Sequence, residues 1–186
     1  MTRIIAGLAG GIRLDVPDAG TRPTSDRVRE SLFGALEPTG MLDGTAVLDL
    51  YTGSGALGLE ALSRGVASAD LVERAPKAAA VARRNAERVA KATGRTALVH
   101  PSATHAFLRR CTSRFDLVFL DPPYDLADTA LAEDLRLVAP LLVDDALVIV
   151  ERATRSGPPD WESAGLSALR EKSFGDTSLY WGELPQ

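Results

Sequence analysis

Two short stretches of this chain carry residue types able to do chemistry. They are Asp49-Leu50-Tyr51-Thr52-Gly53-Ser54-Gly55 and Asp121-Pro122-Pro123-Tyr124, and each follows an apolar run that reads as a buried strand. The amino group of a nucleobase is a poor nucleophile, because its lone pair is delocalised into the ring. A catalyst must hold both N–H bonds so that the nitrogen turns and rehybridises. The Asp121 side chain offers one acceptor and the Pro122 carbonyl the other, while Pro122 and Pro123 stiffen the loop and keep both aimed. Tyr124 offers a flat face on which an extracted base stacks.

The first stretch reads as a loop that holds a nucleoside cofactor. Gly53 and Gly55 permit a sharp strand-to-helix turn and close approach of backbone N–H groups, with Tyr51, Thr52 and Ser54 completing the loop. Asp49 stands at the strand end, where a carboxylate takes a methionine ammonium. Glu73 closes the next strand, twenty residues after Gly53, where it bonds both ribose hydroxyls, with Arg74 beside it. Ser102 and Ala103, past the third strand, border the adenine. The loop also matches G-x-G-x-x-G through Gly58, which leaves a dinucleotide site open. Taken with the proline loop, the reading is methyl transfer from S-adenosylmethionine to a base nitrogen, leaving S-adenosylhomocysteine. Such a displacement at a sulfonium mainly needs positioning.

The elements that would position these loops alternate. Apolar runs at 46–50, 69–73, 97–100, 115–120 and 146–150 suit strands covered on both faces, and 57–64, 76–91, 103–110 and 129–138 suit helices. Two further strands, 167–173 and 177–181, meet at Gly175-Asp176, a tight hairpin signal. The predicted fold is α/β: a Rossmann-like, doubly wound, mostly parallel seven-stranded sheet ending in an antiparallel hairpin. Before it, 4–6 and 12–16 flank a glycine-rich turn and suggest a small N-terminal β-hairpin. Thr24 or Ser25 then caps a helix with the apolar stripe Val28, Leu32, Phe33 and Leu36. The expected division is a head, 1–40, and a cofactor-binding catalytic body, 41–186.

At 186 residues, 45% apolar and 25% charged, the chain reads as one soluble domain without a membrane span or signal segment, expected in the cytoplasm and as a monomer. Cys111, His100 and His105 are too few for a disulfide or a His/Cys metal site. The net charge of −4 argues against bulk nucleic-acid binding but allows local basic patches, one formed by Arg3, Arg13, Arg22, Arg27 and Arg29, another between Arg83 and Arg95.

The two loops resemble those of class I S-adenosylmethionine-dependent methyltransferases that modify exocyclic or amide nitrogens. Arg3-Ile4-Ile5, Gly7, Gly11, Arg22-Pro23-Thr24 and the stretch from Asp26 to Phe33 resemble the RsmD family of bacterial small-subunit rRNA guanine-N2 methyltransferases. That resemblance implies methylation of one guanine in 16S rRNA of assembled or partly assembled small subunits. It implies Asp121 to Tyr124 on the guanine, Asp49, Gly53, Gly55 and Glu73 on the cofactor, and Thr24 and Arg27 near both. Ala9, Gly10 and Ile12 stand where family heads carry basic or aromatic residues, so RNA grip falls to Arg3, Arg13 and Arg22. The competing readings are DNA adenine N6 or protein glutamine as the amine, and a non-catalytic nucleotide-binding module or NAD oxidoreductase. A pyrimidine C5 enzyme is disfavoured, because no Pro-Cys nucleophile exists.

Overall fold

The computed structural model describes residues 2–17 and 25–186, so Arg22 and Thr24 lie outside the described residues. The head contributes β1 (Thr2–Arg3), β2 (Arg13–Leu14) and α1 (Asp26–Leu36). The body alternates β3 (Ala46–Leu50), α2 (Ala56–Arg64), β4 (Ser68–Glu73), α3 (Pro76–Thr93), β5 (Thr96–Pro101), α4 (Thr104–Leu108), β6 (Phe115–Leu120), α5 (Asp128–Val138) and β7 (Leu142–Ala153), then closes with β8 (Ser167–Phe174) and β9 (Thr177–Glu183). The sheet order is β5-β4-β3-β6-β7-β9-β8. The first five strands in that order run parallel, and β9 lies antiparallel to both its neighbours. This is the predicted doubly wound sheet with its terminal hairpin.

Successive strand residues face opposite sides. Val47, Leu117 and Phe119 belong to a core shared with α1, α2 and α3, whereas Leu48, Leu50, Val118 and Leu120 pack with α5. Both faces being covered explains why these strands are apolar without alternation. Strand order reverses at β3, whose neighbours are β4 and β6. The crevice beyond the carboxyl ends of such strands is where open α/β sheets bind ligands.

The head differs from the expectation. Its two strands are only two residues each and pair antiparallel. The segments expected as strands instead cross-bond at single points, Ile4 N–H to the Ile12 carbonyl at 2.9 Å and Gly11 N–H to that of Ile4 at 2.8 Å. Nor does the head stand apart from the body. Ile4, Ala9 and Leu14 are buried in one cluster with Leu32, Phe33, Leu59 and Leu62. Glu60 on α2 accepts the backbone N–H groups of Ile5 (2.7 Å) and Ala6 (3.1 Å), and Ser63 accepts that of Ala9 (2.9 Å). Gly7 is forced here, with φ +84° and a would-be Cβ 2.1 Å from the Ser63 carbonyl oxygen. Among the described residues no helix is long and apolar enough to cross a membrane.

Candidate active site

Leu50 and Leu120 are register partners in β3 and β6, so the two loops emerge side by side. The Asp121 N–H reaches back to the Leu50 carbonyl at 3.5 Å. On the other flank Leu50 pairs with Val72, which brings Glu73 level with the first loop, and the Thr52 N–H donates to the Val72 carbonyl at 3.0 Å. Asp49, Glu73 and Asp121 thus gather at one end of the sheet.

Asp49 is fully buried. Its Oδ2 accepts the Thr52 hydroxyl at 2.6 Å and the Gly58 N–H at 2.9 Å, while Oδ1 is buried without a hydrogen-bond partner. Its carboxyl is pushed up to about 7, chiefly by burial and also by the negative charges of Asp121 and Glu73, against the downward pull of the Thr52 and Gly58 bonds. A buried carboxylate oxygen with an open lone pair is a receptor for a cation. Gly58 permits the arrangement, since a Cβ there would lie 2.4 Å from Leu71 and 3.1 Å from the Asp49 side chain.

Glu73 shapes the loop. Its Oε2 accepts the Gly53 N–H at 3.0 Å and its Oε1 the Ala75 N–H at 2.8 Å, leaving a lone pair on each oxygen for a ribose hydroxyl. Arg74 beside it is exposed. Tyr51 takes φ +61°, strained for a non-glycine residue, and its hydroxyl donates to Asp134 on α5. Burial, then the Asp134 carboxylate, pushes the Tyr51 phenol far up; burial also pushes Asp134 up. Ser54 is buried, and its carbonyl accepts from Asn85 at 2.8 Å. The Ser102 N–H bonds the Glu73 and His100 carbonyls, and its hydroxyl bonds the Ala103 carbonyl at 3.1 Å.

In the proline loop Pro122 is buried, Pro123 is exposed, and Tyr124 is 48% exposed. Of the expected RNA contacts, Arg3, Arg13 and Arg27 are all exposed. Arg3 and Arg13 are direct cross-strand partners, which concentrates like charge on the hairpin. The second basic patch is partly engaged: Arg88 and Arg84 pair with Asp15, and Arg95 donates to the Leu62 carbonyl. Arg29, grouped with the basic head by its sequence position, is buried instead and bonds Asp26, Thr2 and the Arg3 carbonyl. Among the described residues no cluster of His, Cys, Asp or Glu suits a metal ion.

A family model described as conserved hypothetical protein 95 matches residues 2–183. The chain belongs to this family. Ribosomal RNA small subunit methyltransferase D of Escherichia coli K12 is 39% identical over 95% of this chain and 86% of its own. The counterpart of the same name in Haemophilus influenzae is 35% identical over 95% and 90%. The solved yhhF chain of Escherichia coli superposes with a TM-score of 0.83 at 35% identity, covering 99% of this chain and 98% of that one.

Sequence reasoning missed Glu60 and Ser63, which hold the head, and Asn85 and the Tyr51–Asp134 pair, which hold the first loop. Only Gly58 left a local trace, as the third glycine of the loop pattern.

Proposed function

We propose that this chain is an S-adenosylmethionine-dependent methyltransferase that modifies the exocyclic N2 of one guanine in 16S rRNA, on an assembled or partly assembled small subunit in the cytoplasm. The observation that carries this reading is the register of β3 and β6. It sets a loop with a buried carboxylate oxygen that lacks a hydrogen-bond partner beside the Asp121-Pro122-Pro123-Tyr124 loop, whose Tyr124 ring is exposed. The likeness to small-subunit rRNA methyltransferases supports the substrate class.

The bound cofactor supplies an electrophilic methyl group. Asp49 Oδ1 would hold its ammonium, the free lone pairs of Glu73 its ribose hydroxyls, and the 51–55 backbone its methionine portion. Ser102 and Ala103 would border the adenine; the Ser102 hydroxyl is turned to its neighbour's carbonyl. At the other loop, Asp121 and the Pro122 carbonyl hold the two amine hydrogens while Tyr124 stacks on the base. Two consecutive prolines restrict the loop backbone, which limits the reorganisation left to the transition state. An NAD-dependent reaction would leave the Asp-Pro-Pro-Tyr loop without a task.

The head supplies the RNA side. Arg3 opposite Arg13 is an unfavourable pair on its own and a favourable one against a phosphate. Arg27, exposed on α1, adds to that surface. The body from residue 41 carries the cofactor, and the head from 1 to 40 rests on it. Mass mapping of 16S rRNA from a strain lacking the gene tests the assignment. One unmethylated guanine, restored by the wild-type chain and not by Asp121→Ala, is expected; a fully methylated 16S rRNA in the deletion strain overturns it.

A further inference from the structure

Asn85, in the middle of α3, is wholly buried, and its amide uses every bonding position. Oδ1 accepts the Asp15 N–H at 2.9 Å and an Arg88 N–H at 2.5 Å. Nδ2 donates to the Asp15 carbonyl at 2.9 Å and to the Ser54 carbonyl at 2.8 Å. One side chain therefore mimics a strand partner for the head at Asp15 and, with its remaining hydrogen, holds the cofactor-side loop at Ser54. Asp15 follows directly on β2, which carries Arg13. Arg88 and Arg84 pin the Asp15 carboxylate from the outside.

We infer that Asn85 is a positioning residue that couples the two substrates' sites, so that filling the cofactor loop strengthens RNA binding by the head, and RNA binding strengthens cofactor binding equally. A ligand that fixes Ser54 fixes the amide plane, and a fixed amide plane fixes the Asp15 backbone where the head leaves the body. Planarity matters, because neither half of a carboxamide can turn without the other. Coupling between two binding sites is reciprocal and typically amounts to roughly 5–150-fold. The inference rests on the reading that the head meets RNA.

Asn85→Asp separates the link from the fold. It keeps the size of the side chain and the acceptor for the Asp15 N–H, and it sits beside Arg88, which balances the charge. It lacks the two hydrogens that reach the Ser54 and Asp15 carbonyls. Affinity for small subunits from a strain lacking the gene is measured with and without saturating S-adenosylhomocysteine. Ser63→Ala serves as the comparison, because it loosens the head at Ala6 and Ala9 without touching Ser54. For the wild-type chain S-adenosylhomocysteine should raise subunit affinity by about fivefold or more. Asn85→Asp should bring that ratio close to one, and Ser63→Ala should leave it at the wild-type value. An unchanged ratio in Asn85→Asp, a wild-type ratio of one, or equal losses in both variants overturns the coupling role. A wild-type chain that binds no small subunits overturns the functional reading instead.

Discussion

The hydroxyl of Tyr51 donates to the carboxylate of Asp134, which ties the cofactor-side loop to α5, the helix that follows the Asp-Pro-Pro-Tyr loop. Tyr51 stands in left-handed backbone at the point where β3 ends, so the bond holds a strained turn as well as joining two loops. Tyr51→Phe keeps the ring and strands a buried acceptor. The expected loss is about 1–3 kcal/mol of stability, the cost of an unpaired buried polar group, with weaker cofactor binding. Urea denaturation curves that superpose with wild type would show that the hydroxyl does neither.

Asp49 should make cofactor affinity depend on pH. Its folded carboxyl is raised from 3.8 to about 7 by burial, so the native state binds the proton more tightly than the unfolded chain. Stability from this group is present below pH 3.8 and is lost as pH rises through about 7. Cofactor binding has the opposite sign. An ammonium at Oδ1 favours the carboxylate, so binding expels a proton, and affinity rises with pH through about 7 before levelling off. Calorimetry in two buffers of different ionisation enthalpy reads that proton directly. Asp49→Asn should bind more weakly and without pH dependence; a wild-type profile already flat across that range removes Asp49 from the ammonium site.

Glu60 should matter to folding more than any surface carboxylate. It is wholly buried, accepts two head N–H groups, bonds Arg64 at 2.7 Å, and lies 3.8 Å from the buried Arg29. Glu60→Ala leaves Asp26 as the one carboxylate bonded to Arg29 among the described residues and strands the Ile5 and Ala6 N–H groups, each unpaired polar group costing roughly 1–3 kcal/mol. The head should then loosen, seen as faster amide exchange at Ile5 and Ala6. Retention of the wild-type melting temperature would mean that the head is held by its apolar contacts alone.

How much of this was legible in the sequence follows from how local each signal is. The placement of Asp49, Gly53, Glu73 and the Asp-Pro-Pro-Tyr loop at one end of the sheet was legible because each lies at or just past the end of a strand whose apolar run is continuous, and parallel topology delivers strand ends to one side. The sheet and its terminal hairpin were legible for the same reason. Glu60 and Asn85 were not, because a lone polar residue on an amphipathic helix has the pattern of a solvated face. Their partners lie 55 and 70 residues away. The first head strand was placed too far along the chain and the second drawn too long, since a two-residue pairing around a glycine turn has no period to detect. β7 proved longer than its apolar run because it begins at Leu142, and its pairing with β6 shifts register between Phe115 and Leu117.

Asp121→Ala should abolish turnover and leave cofactor affinity nearly intact, because the proposed partner of this carboxylate is the amine. It also removes one negative charge acting on Asp49, so the pH midpoint of cofactor binding should fall slightly. Tyr124→Phe should be tolerated and Tyr124→Ala should weaken RNA engagement, since stacking needs only the ring and is worth about 1–3 kcal/mol per base. Equal losses in the two Tyr124 variants would assign the role to the hydroxyl.

Arg3 and Arg13 should account for part of the salt dependence of RNA binding. They face each other across β1 and β2, both exposed, on a hairpin whose apolar side is buried in the body. Two like charges directly opposite oppose the pairing, so replacing both with Gln should relieve that repulsion and leave the fold intact. Every phosphate that the protein no longer neutralises lowers the slope of log affinity against log salt by about 0.7–0.9, so the double variant should lower it by roughly one to two units. Cofactor binding should be unchanged, because Asp49, Glu73 and the Asn85 link to Ser54 are untouched. Small-subunit methylation at the wild-type rate across the whole salt series would show that the hairpin does not meet phosphate, and would move RNA recognition to Arg27 and the α1 surface.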